Sequence, residues 1–239
     1  MPFHKITYSE QFRRICVYNR GCNFRCLTCV YQVKTPSAPE KFLSRAEVQK
    51  ILLEYRDRTS RVHFLGGEPT VDRELPELLS FCKDTLGVET VLGHTNGSLL
   101  PLDNLDAANI GLKAFSEETH MRVTGVSRKR VFDNLVRAFQ EGIRIKANMI
   151  LIPGLVDLDE IESAAKFLAG LDRNIPFHVQ GYFPVPGRPW RAPAREELEE
   201  AVAAARNHLN RVTCSFIDKE RLFSPAKSDN RFQSKIVWP

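Results

Sequence analysis

Cys22, Cys26 and Cys29 are spaced C-x3-C-x2-C within Arg20-Gly21-Cys22-Asn23-Phe24-Arg25-Cys26-Leu27-Thr28-Cys29. A loop this short can turn three thiolates onto one inorganic centre. Three thiolates hold three irons of a 4Fe–4S cube and leave the fourth iron without a protein ligand, free to take a substrate or a cofactor. A closed structural cluster uses a fourth cysteine. A structural zinc site pairs its ligands in two-ligand knuckles. No nearby Cys or His completes either set. Two blander readings stay open beside the open cluster: reduced structural cysteines, and zinc with Cys16 as a further ligand.

A second group follows roughly 40 residues later. Val62-His63-Phe64-Leu65 reads as a short apolar strand, and Gly66-Gly67-Glu68-Pro69-Thr70 as its exit turn. Two glycines let a backbone come close to a ligand. Glu68 offers a carboxylate, and Pro69 stiffens the turn.

The elements that must position these groups alternate strand and helix. The first strand is Ile15-Cys16-Val17-Tyr18, so the cysteines lie just past its C-terminal end, where chemistry collects in α/β sheets and barrels. A loop with Pro36 and Pro39 leads to a helix over 44–58, where Ser44 and Glu47 have capping-box spacing. Further helices are expected over 73–86, 127–141 (capped at Ser127, stopped at Gly142), 157–171 and 196–209. Further strands are expected over 62–65, 90–93, 110–115, 143–152 and 177–183, with a possible terminal strand over 212–216. A short helical piece is expected after the third strand. The fold expected is α/β: a partial (β/α)6 barrel, curved and incomplete, because eight closed units take ~250 residues. One domain is expected over 1–239, with its core at about 14–217 and a polar tail over 218–239.

On these residues the chain resembles the radical S-adenosylmethionine (radical SAM) superfamily, whose hallmark is C-x3-C-x-aromatic-C. Thr28 stands where the aromatic is usual, beside the cofactor's adenine. Gly66-Gly67-Glu68-Pro69 resembles the superfamily's GGEP element, which implies a contact with the amino group of the cofactor's methionine end. Several later segments resemble the activating enzymes of glycyl-radical proteins such as pyruvate formate-lyase. Thr95-Asn96-Gly97 is similar to their TNG turn. Leu112-Lys113-Ala114-Phe115, His120 and Thr124-Gly125-Val126-Ser127 are similar to DLK…H…TGVS, with Gly111 in place of Asp. Ile152-Pro153-Gly154…Asp157 is similar to IPG…D, with Asn148 where Arg is common and Lys146 on the same face. Phe177-His178-Val179-Gln180-Gly181-Tyr182 is similar to the sixth strand whose His reaches adenosine. The DGPG-like segment of those activases is missing before the first strand.

The resemblance implies metal ligands Cys22, Cys26 and Cys29. It implies cofactor contacts at Gly66, Gly67, Glu68, Pro69, Asn96, Lys113, Asn148 and His178. It implies a 4Fe–4S cluster and S-adenosylmethionine, cleaved by one electron to methionine and a 5′-deoxyadenosyl radical that takes hydrogen from a substrate. No general base is assigned. The partners implied are a reductant such as flavodoxin or ferredoxin and a substrate, either a glycyl-radical protein or a small molecule or peptide.

The composition is ordinary for a soluble globular protein: 239 residues, 43% hydrophobic, 26% charged. No apolar run is long enough to span a bilayer, and no signal peptide is read in residues 1–14. Clustered cysteines without a disulfide pattern fit a reducing compartment, so a cytoplasmic location is expected. The net charge of +5 suits an anionic partner. Without a basic tract interleaved with aromatics, nucleic acid is not inferred. Arg128-Lys129-Arg130 reads as a solvated helix start. Cys16, Cys82 and Cys214 read as core packing.

Overall fold

The computed structural model describes residues 3–31, 41–100, 102–216 and 234–238. Its strands form one nine-stranded sheet. They are β1 (Phe3–Ser9), β2 (Arg14–Asn19), β3 (Arg61–Gly66), β4 (Glu89–Thr95), β5 (Ala107–Leu112), β6 (Arg144–Leu151), β7 (Phe177–Gly181), β8 (Val212–Ser215) and β9 (Ser234–Trp238). From β2 to β8 every neighbour is parallel and follows sequence order. β1 and then β9 extend the β2 edge in antiparallel fashion. The sheet does not close, since β8 and β9 are its two edges. It is the expected open partial barrel.

The helices are α1 (Arg45–Glu54), α2 (Leu75–Phe81, continued as a π turn over Cys82–Leu86), α3 (Glu117–Thr124), α4 (Lys129–Gln140), α5 (Leu158–Ala169) and α6 (Arg195–Arg206). The expected capping box forms at α1. Ser44 Oγ accepts the Glu47 N–H at 3.2 Å, and Glu47 Oε2 accepts the Ser44 N–H at 2.8 Å. Ser127 Oγ accepts the Lys129 N–H at 3.1 Å to start α4, and Gly142 at φ +83° ends it.

One face of the sheet carries Ile15, Val17, Val62, Phe64, Leu92, Ile110, Leu112, Ala147, Met149, Phe177 and Val179 into the main apolar core with the helices. Side chains alternate along a strand. The other, concave face therefore receives Cys16, His63, Gly93, Asn109, Lys146, Asn148 and His178. This polar concavity is what the fold offers to a ligand.

Several expectations change. The N-terminal segment is a strand, and residues 234–238, expected within a polar tail, pair with it at the sheet edge. The earlier tail and the Pro36–Pro39 loop lie outside the described residues. The connection after β4 holds turns and no helix among the described residues. α3 is an additional helix. β5 ends at Leu112, so Lys113 sits just past a strand end and not within a strand. Cys16 and Cys82 are buried as expected, but Cys214 is exposed. Arg128 is not simply solvated: its guanidinium lies 4.5 Å and 4.7 Å from the ring centres of Phe115 and Phe132. No helix among the described residues is long and apolar enough to cross a membrane.

Candidate active site

The cysteine loop and the glycine–glutamate turn are fastened to each other by backbone. Gly67 N–H donates to Asn19 O at 3.1 Å, and Glu68 N–H to Gly21 O at 2.8 Å. The Asn19 amide donates back to Glu68 O at 2.8 Å. The two loops are so close that a Cβ on Gly66 would lie 2.2 Å from Asn19 O, and one on Gly67 2.1 Å from Gly21 O. Both glycines are thus required by the approach of the cysteine loop itself.

Glu68 is 1% exposed, and its carboxylate is filled by the protein. Oε1 accepts from Thr70 Oγ1 at 2.6 Å, Thr70 N at 3.2 Å and Thr95 Oγ1 at 2.7 Å. Oε2 accepts the Asn96 N–H at 2.5 Å. A buried carboxylate needs such donors to offset its lost hydration. It joins the ends of β3 and β4. Pro69 is buried and opens the short helical turn Pro69–Val71.

Asn96 passes the connection on to the cysteines. Its amide donates to Asn23 Oδ1 at 2.8 Å and approaches Cys22 Sγ at 3.8 Å. Cys22 Sγ also accepts the Phe24 N–H at 3.3 Å. On the far side, Leu27 N–H donates to Val123 O at 2.9 Å, pinning the loop to α3. Phe24 is buried edge-on against His120, ring centres 6.1 Å apart. His120 is held by its own turn, with Nδ1 2.8 Å from Val126 O. Thr28 is buried as well.

Among the described residues no three Cys, His, Asp or Glu side chains stand in the geometry of a preformed metal site. The thiols are nonetheless neighbours. Burial pushes the Cys26 thiol up, Lys113 opposes this, and Cys29 and Cys22 push it further up. Cys22 is raised by burial first and by Glu68, against Phe24 N–H, Lys113 and Asn96. Neighbouring thiolates repel in a half-buried place, and a metal centre is what would stabilise all three as ligands. Among the described residues no carboxylate or imidazole completes the set, so the donors fit a three-thiolate cluster with one open iron.

Lys113 stands over this loop from the end of β5. A Cβ on Gly111 would meet Lys113 Nζ at 3.0 Å and His94 Nε2 at 2.9 Å, so the missing side chain makes room for both. His94 is held down to about 3, by burial and then by Lys113. It faces inward because the pairing of β4 with β5 shifts by one residue between Leu92 and Thr95.

Asn148 lies farther along the concavity. Its amide donates to Asn109 Oδ1 at 2.9 Å, and Asn109 donates to Gly93 O at 3.2 Å. His178 has both ring nitrogens engaged, Nδ1 with Thr213 Oγ1 and Nε2 with Ser215 Oγ, each at 2.8 Å. Burial lowers its pKa. The structure therefore brings the three cysteines, Gly66, Gly67, Glu68, Asn96 and Lys113 to one place. Asn148 and His178 stand apart, toward the β8 edge. Sequence reasoning missed Asn19, Phe24, His94, Thr95, Thr213 and Ser215. The TNG turn was the one signal pointing toward Thr95.

The radical SAM superfamily profile matches residues 16–168. A Methanocaldococcus jannaschii protein that carries the name of a glycyl-radical enzyme activating enzyme is 32% identical over 213 residues, which are 84% of this chain and 80% of that one. A GTP 3′,8-cyclase of Actinobacillus pleuropneumoniae is 30% identical over 159 residues, 60% of this chain; the match spans only 47% of the cyclase. Among solved structures, Streptococcus suis SuiB bound to S-adenosylmethionine superposes with a TM-score of 0.62 at 18% identity, over 85% of this chain and 50% of that one. A domain of the pyruvate-formate lyase-activating enzyme of Bacteroides vulgatus does so at 0.54 and 22%, over 64% of this chain and 98% of that one. At these identities the two superpositions speak for the fold. The profile spans the cysteine loop, the glycine–glutamate turn and the strands from β2 to β6, and with the archaeal relative it fixes the family: this chain belongs to the radical SAM superfamily, whose cofactors are a 4Fe–4S cluster and S-adenosylmethionine.

Proposed function

We propose that Cys22, Cys26 and Cys29 hold the cluster, and that the turn over Gly66–Pro69 with Asn96 and Lys113 holds the methionine end of S-adenosylmethionine. When bound, these groups supply one-electron cleavage to methionine and a 5′-deoxyadenosyl radical, which takes a hydrogen atom from the substrate. The observation that carries this reading is the unbroken chain of hydrogen bonds from Glu68 through Asn96 to Asn23 and Cys22. It makes the cysteine loop and the cofactor turn one rigid unit.

The chain's own share is to bind, orient and exclude water. Lys113 carries a half-buried ammonium beside Cys22 and Cys26, suited to a carboxylate. Glu68 keeps the turn's backbone fixed. Asn148 and His178 line the concavity on the side left for the adenosine. The name of the archaeal relative supports a glycyl-radical protein as the target. The cationic concave face supports a second reading, a small acidic substrate. A low-potential one-electron donor such as flavodoxin or ferredoxin is required in either case.

The test is anaerobic reconstitution, iron and sulfide counting, and reduction in the presence of S-adenosylmethionine. The expected results are one 4Fe–4S cluster lost in each of the three cysteine variants, and 5′-deoxyadenosine as the product. A glycyl-radical signal appearing in a co-incubated candidate protein would establish the first target. A zinc-loaded, iron-free protein would overturn the reading.

A further inference from the structure

The concave face carries cations that the cysteine loop and the cofactor turn do not use. On β2 and β3, Arg14 and Arg61 are register partners, as are Cys16 and His63 one row further on. On β6, Lys146 pairs with Asn109 of β5. Burial patterns turn all of these to the same side. On β3, Val62 and Phe64 enter the helix-covered core, so Arg61 and His63 do not; on β6, Ile145 and Ala147 enter it, so Lys146 does not.

His63 is the centre of the group. Its imidazole is held down to about 3 by burial, then by Arg14, Arg61 and Lys146, so all three cations are within electrostatic reach of it. Its Nε2 is buried without a hydrogen-bond partner among the described residues. Beside it β4 supplies Gly93, where a Cβ would meet His63 Nδ1 at 3.2 Å. The missing side chain leaves space between His63, Asn109 and Lys146. Among the described residues one carboxylate enters this region. Glu89 is 3.6 Å from Arg61 and also bonds Arg144, so two arginines already share it. Lys146 has no carboxylate partner among the described residues. The other inward carboxylate, Glu68, is filled by its own donors.

We infer that the mid-lumen between β3 and β6 is an oxyanion site, where Lys146, the Arg61 edge and the free His63 edge take a carboxylate or phosphate of a small substrate. This rests on the reading of the concave face as the reaction chamber. Lys146 and Arg61 are exposed cations that both act on His63, and an anion placed between Lys146 and the His63 edge would relieve the repulsion that Glu89 does not. A neutral glycyl segment of a protein would leave Lys146 without a counter-charge. His63 and Lys146 lie within β3 and β6, and Arg61 opens β3, so the sheet fixes the group, whereas Lys113 past the end of β5 stays available to the cofactor.

The experiment uses the anaerobic, cluster-loaded protein with S-adenosylmethionine bound and no reductant. Pyrophosphate and citrate are titrated separately by calorimetry. At least one should bind with saturation, and Lys146→Met should weaken it about tenfold, the loss of one close charge pair at a protein surface. Lys129→Met, on the exposed side of α4, should leave it unchanged. Pyrophosphate alone would indicate a phosphate-bearing substrate, citrate alone a carboxylate-bearing one. Equal weakening by both variants would mean diffuse surface attraction and would overturn the site, as would binding of neither anion. If the protein binds an anion but never forms 5′-deoxyadenosine, the site stands and the proposed function falls. If it forms 5′-deoxyadenosine but binds neither anion, the reverse holds.

Discussion

The Glu68 carboxylate accepts the backbone N–H of Asn96 at 2.5 Å, and through that bond the end of β3 is tied to the end of β4. Thr95 and Thr70 fill its other oxygen. Glu68 therefore shapes the turn before any ligand arrives. Glu68→Ala should destabilise the cofactor-free protein by about 1.5–3 kcal/mol, the range for hydrogen bonds to a charged group. It should also weaken S-adenosylmethionine binding, because the turn loosens. Thermal unfolding without the cofactor separates the two effects. An unchanged melting temperature would remove the structural role.

The cysteine loop should load its cluster faster as pH rises. Cys22 and Cys26 are pushed above the ordinary thiol range, chiefly by burial, so near neutrality they stay protonated. Ligation needs the thiolates. Raising the pH from about 7 to about 8.5, toward the ordinary thiol pKa, should speed the growth of the iron–sulfur absorbance. Cys22→Ser, Cys26→Ser and Cys29→Ser should each abolish a stable cluster. Cys214→Ala, exposed on β8, should not. A full cluster in Cys26→Ser would refute the ligand set.

Much of this site was legible because its signals are local. The cysteine spacing, the paired glycines and the Ser44–Glu47 box each lie within a few residues. The parallel strands β2 to β8 showed as apolar runs, since the helices cover one face of each. What was not legible depends on partners distant in sequence. β1 reads as a mixed polar segment, Phe-His-Lys-Ile-Thr-Tyr-Ser, and becomes a strand by pairing with β2 and with residues at the opposite end of the chain. The donors that fill Glu68 come from the next strand. The hydroxyls that hold His178 come from β8. The one-residue shift that turns His94 inward has no signature in the alternation of β4.

Acid should destabilise the fold through two histidines. His63 and His94 are both held down to about 3, mainly by burial. The unfolded chain binds their protons near pH 6.5. Their contribution is therefore complete above about pH 6.5 and is lost as pH falls toward 3, by at most about 1.4 kcal/mol per pH unit for each. His63→Gln should flatten that slope. Urea unfolding at a series of pH values measures it, and an unchanged slope would mean that His63 is charged in the fold.

Lys113 connects the cluster loop to the cofactor, and its removal should show in two separable measurements. Its ammonium opposes the upward shift of both Cys22 and Cys26. Without it the thiols ionise less readily, so Lys113→Met should slow cluster assembly near neutral pH, and higher pH should restore the rate. Once the cluster is loaded, the variant should still bind S-adenosylmethionine more weakly, by about tenfold, because the methionine carboxylate has lost its cation. Lys113→Arg should recover assembly better than binding, since the larger guanidinium must fit where the ammonium packs 3.0 Å from the Cβ position of Gly111 and beside His94. Gly111→Ala provides the matching test from the other side: its methyl would displace the ammonium without removing its charge. If Lys113→Met loaded its cluster normally and bound the cofactor as the parent does, the carboxylate contact would belong to another residue.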